Sequence, residues 1–109
     1  MEELPKEFRT WKEMESECND FFNKQFVDED LCTGMRCNHK DILEYDAYFD
    51  KRRNENGSAY CIAVRQQYDI YGLLFDVLVN DDIVYQSKKL EDCFKIIGSG
   101  CLLLPRKQD

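Results

Sequence analysis

Between Pro5 and Phe26, apolar side chains return every three or four positions, at Phe8, Trp11, Met14, Cys18, Phe21, Phe22 and Phe26. That is the period of a helix with one broad aromatic face. Pro5 falls in its first turn, with Glu3 and Glu7 near the positive end of the helix dipole. The opposite face holds Glu13, Glu17 and Asp20, and Lys24 stands four residues after Asp20, where it can pair with it. Asp28-Glu29-Asp30 through Gly34 reads as a polar connection. A second helix is predicted from Asn38, capped by that side chain with Asp41 in a capping-box-like position. Its buried stripe would be Ile42, Tyr45, Tyr48 and Phe49, with Lys51-Arg52-Arg53 in the last turn and Asn56-Gly57 as the stop.

Beyond Gly57 the period changes to two. Ser58 to Gln66 places Tyr60, Ile62 and Val64 on one face and Ala59, Cys61, Ala63 and Arg65 on the other, as a strand does. Tyr71 to Val79 is apolar on both faces, which suits a central strand. Asn80-Asp81-Asp82 is a tight turn into a third strand, Ile83 to Gln86, and the three form an antiparallel meander. Ser87 caps a short helix carrying Leu90, Cys93, Phe94 and Ile97 on one side, ended by Gly98. Cys101 to Pro105 follows as a final edge strand or an apolar tail. The expectation is one α+β domain over residues 1–109: two N-terminal helices, a three-stranded meander and a short C-terminal helix, in two layers.

Charge narrows the partners. The net charge is −7, and residues 1–50 carry 14 acidic and 6 basic side chains against 8 and 9 in residues 51–109. Phosphate backbones are bound chiefly by Lys and Arg, and the basic clusters Lys51-Arg52-Arg53, Lys88-Lys89 and Arg106-Lys107 are short, so nucleic acid is not the expected partner. The order of helix, three strands and helix is similar to that of double-stranded-RNA-binding domains. Here Lys88, Lys89 and Lys95 are set against Glu91 and Asp92, so the likeness is taken as generic topology. No run of eighteen apolar residues is present, so no membrane partner is expected. The acidic first residues lack the basic start and apolar stretch of a secretory signal, so a cytoplasmic chain is the expectation.

The six cysteines, at 18, 32, 37, 61, 93 and 101, are then read as free thiols in a reducing compartment, most of them acting as small hydrophobes. The sharpest constellation among them is Cys32, Cys37 and His39, with Cys18 or Cys61 as a fourth zinc ligand. Its spacing is not that of a standard zinc finger. A cysteine nucleophile would have to use His39, the single histidine, as its base. The carboxylate pairs Asp28/Asp30, Asp46/Asp50 and Asp81/Asp82 fit solvated turns and helix faces, and no calcium loop or phosphate-cradling glycine loop is present.

What these patterns support is a non-catalytic protein-binding domain, of inhibitor, immunity or adaptor type, that presents acids to a basic protein partner. The expected contacts are Glu13, Glu17, Asp20, Asp28, Glu29, Asp30, Glu44 and Asp46, since clustered acids steer association with a basic surface. The alternative is a small zinc-supported domain using Cys32, Cys37 and His39. No catalytic residue and no cofactor are expected. The tyrosines offer interface anchors, and a homodimer would bury the apolar strand around Leu74 and Leu78.

Overall fold

Thr10 and Glu13 set the start of the first helix. In the computed structural model, which describes residues 4–27, 31–39, 42–49 and 60–100 (backbone only at Asn38 and His39), Thr10 Oγ1 accepts from the Glu13 amide at 3.2 Å. Glu13 Oε1 in turn accepts from the Thr10 amide at 2.8 Å. This capping box satisfies two otherwise unpaired amides and fixes α1 at Trp11–Gln25. Pro5 therefore precedes the helix by a turn: it accepts from the Phe8 amide at 3.0 Å, and Phe8 packs edge-on against Tyr68 with ring centroids 5.5 Å apart.

The second predicted helix is replaced by a hairpin. Residues Leu31–His39 form β1 and Ile42–Phe49 form β2, paired antiparallel from Leu31↔Phe49 to Cys37↔Leu43. The apolar positions Ile42, Tyr45 and Phe49 satisfy a helical spacing, but Tyr45, Ala47 and Phe49 also alternate with Glu44, Asp46 and Tyr48. Aromatic and β-branched residues favour the alternating solution when a neighbouring strand can accept it. Asn38 is accordingly a strand residue at a register shift. The proposed cap partner Asp41, the basic turn Lys51-Arg52-Arg53, the stop Asn56-Gly57 and the final segment Cys101–Pro105 lie outside the described residues.

The later strands keep their predicted places with shifted ends: β3 at Tyr60–Asp69, β4 at Gly72–Val79 and β5 at Asp82–Ser87. The sheet is thus five-stranded and antiparallel in the order β1-β2-β3-β4-β5, two strands wider than the predicted meander. Asn80 and Asp81 have φ of 50° and 72°, the left-handed pair that matches a two-residue turn to the twist of the strands. The last helix, α2, runs from Leu90 to Ser99, and its left-handed terminus is Gly100 (φ 75°), not Gly98. Gly98 sits inside the helix where α2 crosses α1; a Cβ there would lie 3.1 Å from Gln25 Oε1. Ser87 is not the cap: Lys89 holds that position without a side-chain cap bond, and Ser87 Oγ instead accepts from the Lys89 amide at 3.1 Å and donates to Asp92 at 2.7 Å just before the helix.

Both helices cover the same face of the sheet. Met14, Cys18 and Phe22 of α1 and Leu90, Cys93 and Ile97 of α2 form one core with Tyr45, Ala47, Phe49, Ile62, Val64, Phe75, Val77 and Val79. Phe21 and Phe94 stack between the helices with centroids 4.6 Å apart, and Tyr45 donates to Asn19 Oδ1 at 2.6 Å to tie α1 to β2. The Gln66 amide, buried in β3, acts as a surrogate peptide group: Oε1 accepts from the Arg9 amide at 2.8 Å and Nε2 donates to the Arg9 carbonyl at 2.9 Å. The segment before α1 is held to the sheet by that pair of bonds.

The face without helices is polar along one row. Strand register places Arg36, Glu44, Arg65, Asp76 and Gln86 side by side across all five strands, so positive and negative charges alternate. Opposite charges directly across a pair of strands attract, and the row is continuous. No helix among the described residues is long and apolar enough to cross a membrane.

Candidate functional site

The predicted acids fall into three groups. Glu13, Glu17 and Asp20 line the outer face of α1 together with Glu15, Ser16 and Asn19, with the bases Lys12 and Arg9 beside them. Their roles differ. Glu13 closes the capping box, and Glu17 accepts from Arg9 Nε at 2.7 Å, while Glu15 and Asp20 project from the helix toward solvent. Asp28, Glu29 and Asp30 lie outside the described residues.

Glu44 and Asp46 are elsewhere. As alternate residues of β2 they point away from the helices and are buried on the opposite face of the sheet. Arg36 of β1 bonds both, with its Nε 3.1 Å from a carboxylate oxygen of each. Burial opposes ionisation of Glu44, but hydrogen bonds from Asp46 and Arg36 overcome it and hold Glu44 below its ordinary value. Asp46 is pushed up to about 7 by burial, by its hydrogen bond to Glu44 and by the charge of that neighbour, against a smaller opposing pull from Arg36. Two carboxyl groups beside a single half-exposed arginine thus hold one proton between them.

This has a measurable consequence. In the unfolded chain Asp46 titrates at an ordinary aspartate value, whereas the folded chain keeps its proton up to about pH 7. The folded state therefore binds the proton more tightly. The resulting stabilisation is complete below the unfolded value, falls as pH rises between the two, and is absent above pH 7. Glu44 acts in the opposite sense, and only below its own ordinary value. Urea unfolding should show the protein losing about 1–3 kcal/mol between roughly pH 5 and 8, from about 1.4 kcal/mol per pKa unit. Asp46→Asn, which keeps the hydrogen-bonding shape without the charge, should flatten that slope; an unchanged slope would exclude the shared proton.

The remaining carboxylate of the row, Asp76, is fully buried, accepting from Arg65 Nε and Nη2 at 2.9 and 2.8 Å, from Gln86 Nε2 at 2.8 Å and from Gln67 Nε2. Its bonds are structural in kind: every donor is another side chain of the sheet.

The cysteines are dispersed. Cys32 and Cys37 are five residues apart on β1, so their side chains leave opposite faces about 16 Å apart along the strand. One metal ion cannot take both. Cys18 lies in the core and Cys61 on the helix-free face, so neither completes a set with the other. Among the described residues, no group of three His, Cys, Asp or Glu side chains is placed to hold a metal ion. Burial raises the Cys18 thiol well above its usual value and pushes those of Cys61 and Cys93 up to about 12, so these three are poor thiolates.

One feature escaped the sequence reading. At the start of α1, Leu4, Phe8, Trp11, Leu43, Gln66 and Tyr68 enclose a mostly apolar pocket of about 260 Å³. The signal was present in the aromatic residues Phe8, Trp11 and Tyr68, but these read as core until Thr10 is recognised as the cap that turns Phe8 out of the helix. No family model matches this chain, and neither the curated proteins nor the solved structures yield a match.

Proposed function

We propose that this chain is a non-catalytic protein-binding domain that presents the outer face of α1 to a basic partner. The observation that carries the reading is the charge of that face: Glu13, Glu15, Glu17 and Asp20 against Lys12 and the Arg9 paired with Glu17, on a helix whose other side is locked into the core by Met14, Cys18 and Phe22. A rigid acidic strip concentrates a cationic partner and speeds its encounter, most strongly at low salt. The raised thiols of Cys18, Cys61 and Cys93 and the structural bonding of Asp76 favour binding over chemistry. Glu44 and Asp46 are left out of the contact surface, because their charges are engaged by Arg36 on the far side of the sheet.

The test must change the strip without breaking the helix cap, so Glu13 and Glu17 are unsuitable. Glu15→Lys with Asp20→Lys reverses two charges that hold nothing in place. Binding to a lysine-rich peptide at about 50 mM salt should weaken by roughly tenfold or more, and the parent protein should lose a similar factor on raising the salt to about 500 mM. The control is Asp82→Lys with Glu91→Lys, two exposed sites off this face. Equal weakening by both double variants would mean that only net charge matters, and the α1 reading would be abandoned.

A further inference from the structure

The apolar pocket stands directly at the N-terminal end of the acidic strip. Trp11 forms part of its rim and is 41% exposed, Leu4 is 58% exposed, and Lys12 and Glu13 begin the outer face of the same helix. The β3–β4 turn just beyond Tyr68 adds Ile70 and Tyr71, each 91% exposed. Half of the large apolar side chains that are exposed among the described residues therefore gather at this end of the sheet. Contiguous exposed apolar groups of this kind mark interaction surfaces.

The chemistry of the pocket favours an apolar occupant. Besides the apolar side chains, Arg9, Thr10 and Gln66 line it. Both ends of the Gln66 amide are bonded to the Arg9 backbone, the Arg9 guanidinium is bonded to Glu17 and to the Glu7 carbonyl, and Thr10 Oγ1 accepts from the Glu13 amide. These polar groups are thus engaged by the protein's own chain, and the exposed wall is mainly hydrocarbon. A cavity of about 150 Å³ suffices for a benzene ring, so 260 Å³ admits one aromatic or branched aliphatic side chain.

We infer that the pocket between the start of α1 and the β2–β3 end of the sheet takes an apolar anchor side chain from a basic protein segment whose lysines or arginines then lie along the acids of α1. This rests on the reading of α1 as the partner-binding face and adds the form of the partner. At 1.5 Å per helical residue, Glu13 to Asp20 lie about 3 to 14 Å beyond Trp11 along the axis. An extended chain advances about 3.3 Å per residue, so the basic residues follow the anchor within about four positions. Charge complementarity selects the segment, and the pocket fixes its register.

Trp11 is the single tryptophan and lies on the pocket rim, so its emission reports occupancy directly. The experiment titrates the whole chain with three short synthetic peptides: one leucine followed closely by lysines and arginines, the same peptide with leucine replaced by serine, and the leucine peptide with its basic residues replaced by glutamine. The expected result is a saturable blue shift of Trp11 with the first. Affinity should drop about tenfold or more with the serine peptide and with the Leu4→Asp variant, as expected for loss of one buried aliphatic side chain. If the serine peptide binds as tightly as the first and with the same salt sensitivity, the anchor pocket is refuted while the acidic face stands. Equal binding of the glutamine peptide removes the acidic-face reading and leaves the pocket. No saturable change of Trp11 emission with any of the three removes both.

Discussion

Phe22→Ala should destabilise the protein by about 3–5 kcal/mol, the usual cost of emptying an aromatic site in a close-packed core. Phe22 has no exposed surface, and its ring lies 5.4 Å from that of Tyr45 and 5.7 Å from that of Phe26, with Phe21 edge-on at 5.2 Å. The cavity cannot close by a shift of one neighbour, because Phe21 is itself stacked on Phe94 of α2 and Phe26 is set against Phe49 of β2. Domains of this size are stable by about 5–15 kcal/mol, so the change removes a large share. Urea unfolding followed by circular dichroism checks it. A loss below about 1 kcal/mol would mean that α1 is not seated on the sheet by this ring.

Asp76→Ala should cost about 3 kcal/mol or more by removing the acceptor shared by Arg65, Gln67 and Gln86. Water reaches Arg65 in part, since its side chain is about one-fifth exposed, and this keeps the loss below that of a wholly buried charge. The pair need not be favourable overall. Buried ion pairs often give no advantage over apolar residues of similar volume, so Asp76→Leu combined with Arg65→Met should recover most of the loss that Asp76→Leu produces alone. A double-mutant cycle in urea measures that coupling. Strict additivity would show that the two side chains act independently despite their 2.8 Å contact.

The chain announced its elements unevenly. Where one face is core and the other water, periodicity carries the assignment, and the body of α1 and α2 were legible for that reason; β3 and β4 were legible from their density of β-branched and aromatic residues. Strand β2 was misread because its two faces are both covered: Tyr45, Ala47 and Phe49 by the helices, Glu44 and Asp46 by Arg36. Its acids looked like a solvated helix face, although Tyr45, Ala47 and Phe49 already spell an alternation. Strand β1 carried still less signal. As an edge strand exposed along much of its length and holding Gly34, it has no buried face long enough to repeat. Of the candidate surface, the α1 acids could be placed from spacing alone. The partition between Asp20, which faces solvent, and Asp46, which faces Arg36, depends on which strands become neighbours, and that information is spread over residues 36 to 46 and beyond.

Each strand of the sheet pairs with the strand next to it in sequence, so the sheet can grow hairpin by hairpin with short closures. The Gln66 clamp on Arg9 is different in kind, joining positions 57 residues apart. Docking of the first helix is therefore the topologically remote step, and the surface proposed to recognise a partner travels with it. A ligand that bridges Trp11 and Tyr68 would fasten the chain's beginning to its middle, and its free energy of association would appear as slower amide exchange through the whole of α1 and in the β3 residues that hold it.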